Sequence, residues 1–316
     1  MFSVLKKKEN GFDIVELKDE STGTTASVIP SYGAILHAFT VLRDGSSLNV
    51  IDSSFEDLKN MEAGGFKSCK LSPFVCRLNR GQYQFGEKEF RVEKFYLGEH
   101  AIHGLLYDVV FSIEELHAEE NKASLLLKHE YRGTDKGYPF NYDCMVAYEL
   151  SGNNELLIRT KVINKDAGHI PVSDGWHPYF TFGDKIDDLQ LEFQSKDIVE
   201  FDADLLPTGK KLPYQEFGSL KFLGSTELDN CFVANFAECQ PMLVLRNPVQ
   251  KIQLEIIPDK SYPYLQIYTP PHRKSIAIEN LSSVPDAFNN GMDLITLAPN
   301  ESAEFTTTYK LTSLDQ

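Results

Sequence analysis

Hydrophobic positions along this chain recur mostly at every second residue. In Lys251-Ile252-Gln253-Leu254-Glu255-Ile256 aliphatic side chains alternate with polar ones, the pattern of a strand with one buried face. Phe305, Thr307, Tyr309 and Leu311 share one face near the C-terminus, with Glu304, Thr306, Thr308 and Lys310 on the other. Cys144, Val146, Tyr148 and Leu150 make another such face, and Leu156, Ile158, Thr160 and Val162 one more. The turn cluster Ser151-Gly152-Asn153-Asn154-Glu155 between the last two predicts a β-hairpin. Asn247-Pro248 likewise separates residues 242–246 from the strand that starts at Lys251.

Amphipathic helices are scarce. Residues 54–61 have the length for two turns capped by Ser54, too little for a crossover helix repeated between parallel strands. The expectation is a large antiparallel all-β protein, sandwich-like, with functional loops at the strand ends. Composition does not shift along the chain and no fixed-period repeat appears, which favours a single domain over 1–316.

A chain of 316 residues buries enough surface to need no metal or cross-link for its core. The charge changes the picture more. With 31 basic and 46 acidic side chains the net charge is −15, so nucleic acid and anionic membranes are poor partners, whereas a small neutral substrate meets no such barrier. The five cysteines, Cys69, Cys76, Cys144, Cys231 and Cys239, are scattered and include no zinc-type pair. They read as free thiols in a reducing compartment, and with no signal peptide or long apolar stretch a cytoplasmic location is expected.

Four stretches carry candidate chemistry. His103 is followed by Gly104, which leaves an imidazole accessible and lets backbone approach a ligand closely. Asp174-Gly175-Trp176-His177-Pro178-Tyr179-Phe180 holds the only tryptophan beside a histidine, and aromatic rings pack on the C–H faces of sugars. Asp229, just before a strand, is placed to accept hydrogen bonds from hydroxyls, although such an Asp is more often a turn former. In residues 264–268 and 276–280 the aliphatic side chains share one face, so Gln266 and Glu279 look together into an opposing cleft or into solvent. The turn-rich residues 283–291 follow and are expected to hold the end of the Glu279 strand rigid.

Taken in order, these stretches resemble the aldose 1-epimerase (galactose mutarotase) family. The resemblance begins at Pro73-Phe74-Val75-Cys76-Arg77-Leu78-Asn79-Arg80-Gly81 and continues through His103-Gly104, Gly137-Tyr138-Pro139-Phe140 and His177-Pro178-Tyr179-Phe180. It ends with Asp229-Asn230-Cys231-Phe232, Gln266-Ile267-Tyr268-Thr269, and Glu279 with its Pro-Asp-Ala-Phe-Asn loop. It implies a large antiparallel β-supersandwich and an isomerase that interconverts α and β anomers of aldohexoses such as glucose or galactose, without a cofactor. By the same resemblance Glu279 is the general base, His177 the general acid, and Arg77, His103, Asp229 and Gln266 hold the sugar hydroxyls. The family usually has Asn directly before the matching Arg, where this chain has Cys76, so one hydrogen bond to a hydroxyl weakens or vanishes. Many relatives also carry proline where this chain has Asn280.

That chemistry asks for an ionised Glu279 and a protonated His177, with Asp174 as a neighbour able to raise the imidazole. Alternatives are a hexose-6-phosphate epimerase, with Arg80 and Arg273 as phosphate-binding candidates, and a non-catalytic sugar-binding protein. A glycosidase would need two flanking carboxylates. A metal held by His103, His177 and Asp229 lacks a closely spaced pair of ligands to start from, so no metal is expected. The protein is expected to be a monomer or homodimer.

Overall fold

The computed structural model describes residues 1–43, 45–238 and 240–314. About 53% of the chain is strand and 5% helix, and the sheets are antiparallel, in keeping with the period of two and the scarcity of crossover helices. The predicted hairpin is there: Asn141–Ser151 pairs with Glu155–Asn164, with Ser151 opposite Glu155 and Leu150 opposite Leu156. Leu243–Asn247 and Ile252–Pro258 form the second expected pair. Ser302–Ser313 lies between the partners, pairing with Glu155–Asn164 on one side and Ile252–Pro258 on the other, within a nine-stranded sheet.

A second, eight-stranded sheet carries the candidate chemistry. It runs Pro207–Pro213, Ser195–Phe201, Asp229–Ala234, Tyr264–Tyr268, Ile276–Leu281, Gly175–Trp176, Lys70–Leu71, with Tyr179–Phe180 also pairing with Ile276–Leu281. One face meets the nine-stranded sheet: Phe180 packs edge-on against Tyr309 at 5.3 Å and Trp176 against Tyr148 at 6.2 Å. Leu265, Ile267, Ile276 and Ile278 are fully buried in this shared core. Each such side chain contributes about 1.5–3 kcal/mol relative to exposure, so a one-residue slip that turned them round would cost several kcal/mol. That register places Gln266 directly opposite Glu279, and Cys231 opposite Gln266.

The other face packs against a smaller core. It gathers Ile14, Ile29 and Ile35 from a five-stranded N-terminal meander, whose other buried side chains join the large core, with Leu58, Phe66, Cys76, Ile102 and Tyr107. The expected short helix is present as Phe55–Lys59, with Ser54 accepting from the Asp57 amide at 3.1 Å. Residues 283–291, read from sequence as turn alone, include a short helical turn, Ala287–Asn290. Among the described residues no helix is long and apolar enough to cross a membrane. Cys69, Cys76, Cys144 and Cys231 are free and buried; Cys239 lies outside the described residues.

Candidate active site

Between the eight-stranded sheet and the smaller core lies a pocket of about 230 Å³. At roughly 30 Å³ per water this is the room of about eight waters, or of one sugar ring. Arg77, His103, His177, Asp229, Gln266 and Glu279, dispersed over two hundred positions, all line it.

Each is held by a different device. Glu279 sits in the middle of a buried strand, 2% exposed, with its neighbour Asn280 turned the other way to donate to Thr307 at 3.3 Å. His177 interrupts the sheet between Gly175–Trp176 and Tyr179–Phe180, and its backbone is clamped on both sides. Its amide donates to Cys69 O at 3.1 Å, and its carbonyl accepts from Ser68 N at 2.8 Å. The Ile278 amide donates to Pro178 O at 3.2 Å, which ties the His177 segment to the Glu279 strand. His177 Nε2 thereby stands 3.4 Å from Glu279 Oε1, and the Tyr179 ring lies nearly parallel to the imidazole at 5.1 Å. Cys76 Sγ, 3.8 Å from Glu279 Oε2, donates to the carboxylate's other oxygen.

His103 follows the same logic with one correction. Its ring stands perpendicular to that of His177 at 4.7 Å, and its amide donates to Cys76 O at 2.9 Å. Gly104 does not admit a ligand as the sequence suggested. A Cβ there would sit 2.3 Å from Ser72 O, so the glycine instead lets two backbone segments touch. Asp229 accepts from Gln266 Nε2 at 2.9 Å. Among the described residues the Arg77 guanidinium makes no hydrogen bond or ion pair, which leaves its planar set of donors open to the pocket. The turn-rich loop fastens this arginine's segment more than the Glu279 strand. Asp286 N donates to Arg77 O at 2.7 Å, and Asp286 Oδ1 accepts from Asn79 N at 2.8 Å. Phe66, Cys76, His103 and Leu205, all lining the pocket, adopt positive φ between 47° and 62°. Backbone strain of this kind concentrates where a site over-determines its geometry.

The electrostatics differ from the sequence expectation. Burial pushes the Glu279 carboxyl well above its ordinary range, and the Asp229 charge adds to this; the Cys76 thiol and Arg77 pull weakly the other way. Burial holds His177 down at about 4. His103 is also well below its ordinary value, through burial first and then His177 and Arg77. Burial of the pair therefore favours a carboxylic acid beside a neutral imidazole, not the ion pair expected. Asp174 does not raise the histidine because it is engaged elsewhere. It pairs with Lys70 at 2.6 Å and accepts from Tyr262 at 2.7 Å, with both side chains of the ion pair completely buried.

Other expectations need correction too. Trp176 is no sugar platform: it faces the large core, with the Lys70 ammonium 4.5 Å from its ring. Phe180 lies in that core as well, and of the three aromatics in the stretch only Tyr179 lines the pocket. Arg273 is tied to Asp187, Gly224 and Thr226, and Arg80 lies near Glu99, so neither reaches the pocket. Sequence reasoning passed over Phe66 and Tyr268; an aromatic after two glycines and a tyrosine two positions beyond Gln266 were the available signals. Among the described residues no group of three or more His, Cys, Asp or Glu side chains is placed to hold a metal ion.

This antiparallel all-β architecture is the galactose mutarotase-like supersandwich, and its pocket has the size and polarity of a sugar site. The family model for aldose 1-epimerase matches residues 13–310, and the chain belongs to that family. The uncharacterized protein YihR of Escherichia coli K12 is 26% identical over 237 residues, 72% of this chain and 73% of that protein. An aldose 1-epimerase of Streptococcus thermophilus is 22% identical over 225 residues, 67% of this chain and 62% of that protein. A galactose mutarotase-like protein from Clostridium acetobutylicum superposes with a TM-score of 0.84 at 18% identity, covering 99% of both chains. Galactose 1-epimerase from Lactobacillus acidophilus NCFM gives 0.81 at 22% identity, again over 99% of both. At such identities the structures speak for the fold alone.

Proposed function

We propose that this protein interconverts the α and β anomers of a free aldohexose, with Glu279 and His177 as the proton-transfer pair. The observation that carries the reading is the 3.4 Å approach of His177 Nε2 to Glu279 Oε1 inside a pocket the size of one ring. Opening a pyranose requires one group to take the proton from the O1 hydroxyl while another gives a proton to O5 as the C1–O5 bond breaks. The aldehyde turns about C1–C2, and closure reverses both transfers.

One proton on the pair suffices. A carboxylic acid beside a neutral imidazole holds the same number of protons as a carboxylate beside an imidazolium, so the form that burial favours is the tautomer of the productive state. A bound sugar supplies the hydroxyl donors that burial took from Glu279, which favours the carboxylate and sends its proton to His177. Arg77, His103, Asp229 and Gln266 then hold the hydroxyls that do not react. Among the described residues Arg77 is the only Lys or Arg lining the pocket and shares it with three carboxyl groups, Glu62, Asp229 and Glu279, which supports an uncharged sugar over a phosphorylated one.

Polarimetry on freshly dissolved α-glucose and α-galactose tests the reading: the approach to equilibrium should accelerate in proportion to enzyme. Sugar binding without acceleration would leave a binding protein instead. The profile of kcat/KM against pH should have two limbs. On the acid side it falls near pH 4, where His177 takes a second proton and no base remains. On the alkaline side it falls well above the usual carboxylate range, where Glu279 loses the pair's only proton. The depressed His177 has a matching stability signature. Its contribution is fully present above 6.5, its ordinary value, and is lost as pH falls from there toward 4. Arg77→Ala should raise KM about tenfold or more with a smaller change in kcat, since it removes contacts to non-reacting hydroxyls; steady-state kinetics separates the two.

A further inference from the structure

Three of the four described cysteines, Cys69, Cys76 and Cys231, belong to the smaller core against Glu279. Cys76 Sγ lies 3.8 Å from Glu279 Oε2. Cys231 stands opposite Gln266, itself opposite Glu279, and the Cys69 carbonyl accepts from the His177 amide. Burial first, and then the Glu279 charge, pushes each of these thiols above its ordinary range. None of them competes with the acid as a base. A buried thiol packs as a small apolar group with one weak donor.

The two oxygens of Glu279 have unequal neighbours. Oε1 faces His177 Nε2 at 3.4 Å, a nitrogen that accepts a proton well when the imidazole is neutral. Oε2 faces the Cys76 sulfur, a weak donor and a weak acceptor. A protonated carboxyl has one hydroxyl to donate and one carbonyl oxygen to accept. With the proton on Oε2 the hydroxyl would meet only sulfur. With the proton on Oε1 the hydroxyl meets the imidazole, and the carbonyl oxygen accepts the S–H. The last torsion of a glutamate is broad and roughly two-fold, so only such neighbours tell its oxygens apart. The thiol is itself well anchored, since the Cys76 carbonyl accepts from the His103 amide at 2.9 Å.

Building on the mutarotase reading, we propose that Cys76 is a positioning residue: its S–H holds Glu279 Oε2 as an acceptor and so assigns the pair's proton to Oε1, the oxygen that faces His177. The proton then passes straight from Oε1 to Nε2, with no turn of the carboxyl beforehand. The thiol keeps its own proton throughout, and the sulfur is neither oxidised nor bonded to the sugar.

Cys76→Ala and Cys76→Gly both delete the thiol, the second at no steric cost to the left-handed backbone there. Each should lower kcat by about three- to tenfold, the worth of one neutral hydrogen bond, with KM kept within about twofold. Cys76→Asn returns a donor and should restore kcat. It should also move the alkaline limb of the pH profile down, because a stronger donor favours the carboxylate. Infrared difference spectra give a readout that needs no turnover. The carbonyl stretch of protonated Glu279, identified by its loss in Glu279→Gln, should rise in frequency in Cys76→Ala and fall in Cys76→Asn. A band that stays in place, or deletion variants that keep kcat or change KM alone, overturn the assignment. Normal mutarotation in every Cys76 variant would leave the mutarotase reading intact and remove the thiol from it. Band shifts as expected in a protein that anomerises no sugar would keep the hold on Oε2 and refute the mutarotase reading instead.

Discussion

Glu279→Gln is expected to lower mutarotation by on the order of 10²–10⁴, the usual worth of a positioned proton-transfer group. The amide keeps the shape of the carboxyl, so the pocket should still fill with sugar. It can neither take the O1 proton nor hand one to His177, and both half-reactions stop for the same reason. Because burial already favours the uncharged acid at this position, a neutral amide removes the titration without removing a stabilising charge. The melting temperature should therefore stay level or rise, which separates lost chemistry from lost fold. Near-normal rates by polarimetry would take Glu279 out of the mechanism.

Asp174→Ala should be the costliest substitution for stability, by about 3–5 kcal/mol. It strands the Lys70 ammonium, with no exposed side-chain surface, between the Gly175 carbonyl and the Trp176 ring, and it deprives Tyr262 of its acceptor. Replacing both partners, as Lys70→Met with Asp174→Leu, should recover much of the loss, because two apolar side chains leave no uncompensated charge. Guanidinium unfolding of the single and double variants reads the difference directly. A single variant as stable as the wild type would mean that the pair contributes nothing net.

Strand identity was legible because it is local. Tyr264-Leu265-Gln266-Ile267-Tyr268 declares its two faces by alternation alone, and the partner strand around Glu279 does the same, so the pairing of Gln266 with Glu279 needed only the right register. The hairpin at 151–155 and the Ser54 cap were equally readable, since turn and cap chemistry depend on neighbours in sequence. What alternation cannot carry is which charged groups meet across the fold. Nothing near Asp174 in sequence points to Lys70, about a hundred positions away, so the aspartate was assigned to the histidine three residues along. The protonation of the pair was missed for the same reason. Burial sets it, and burial belongs to the assembled layers. Trp176 was misplaced because a two-residue strand gives alternation too little length to say which layer a side chain joins.

The left-handed backbone at Cys76 limits what can replace it. At φ 47° a β-branched residue fails on steric grounds before its chemistry matters, so valine is a poor mimic of the thiol there. Asparagine tolerates this region better than almost any other side chain. Exchanging Cys76 for Asn should therefore relax the main chain while giving the neighbouring acid a stronger donor. The native sulfur then reads as a choice made against conformational ease.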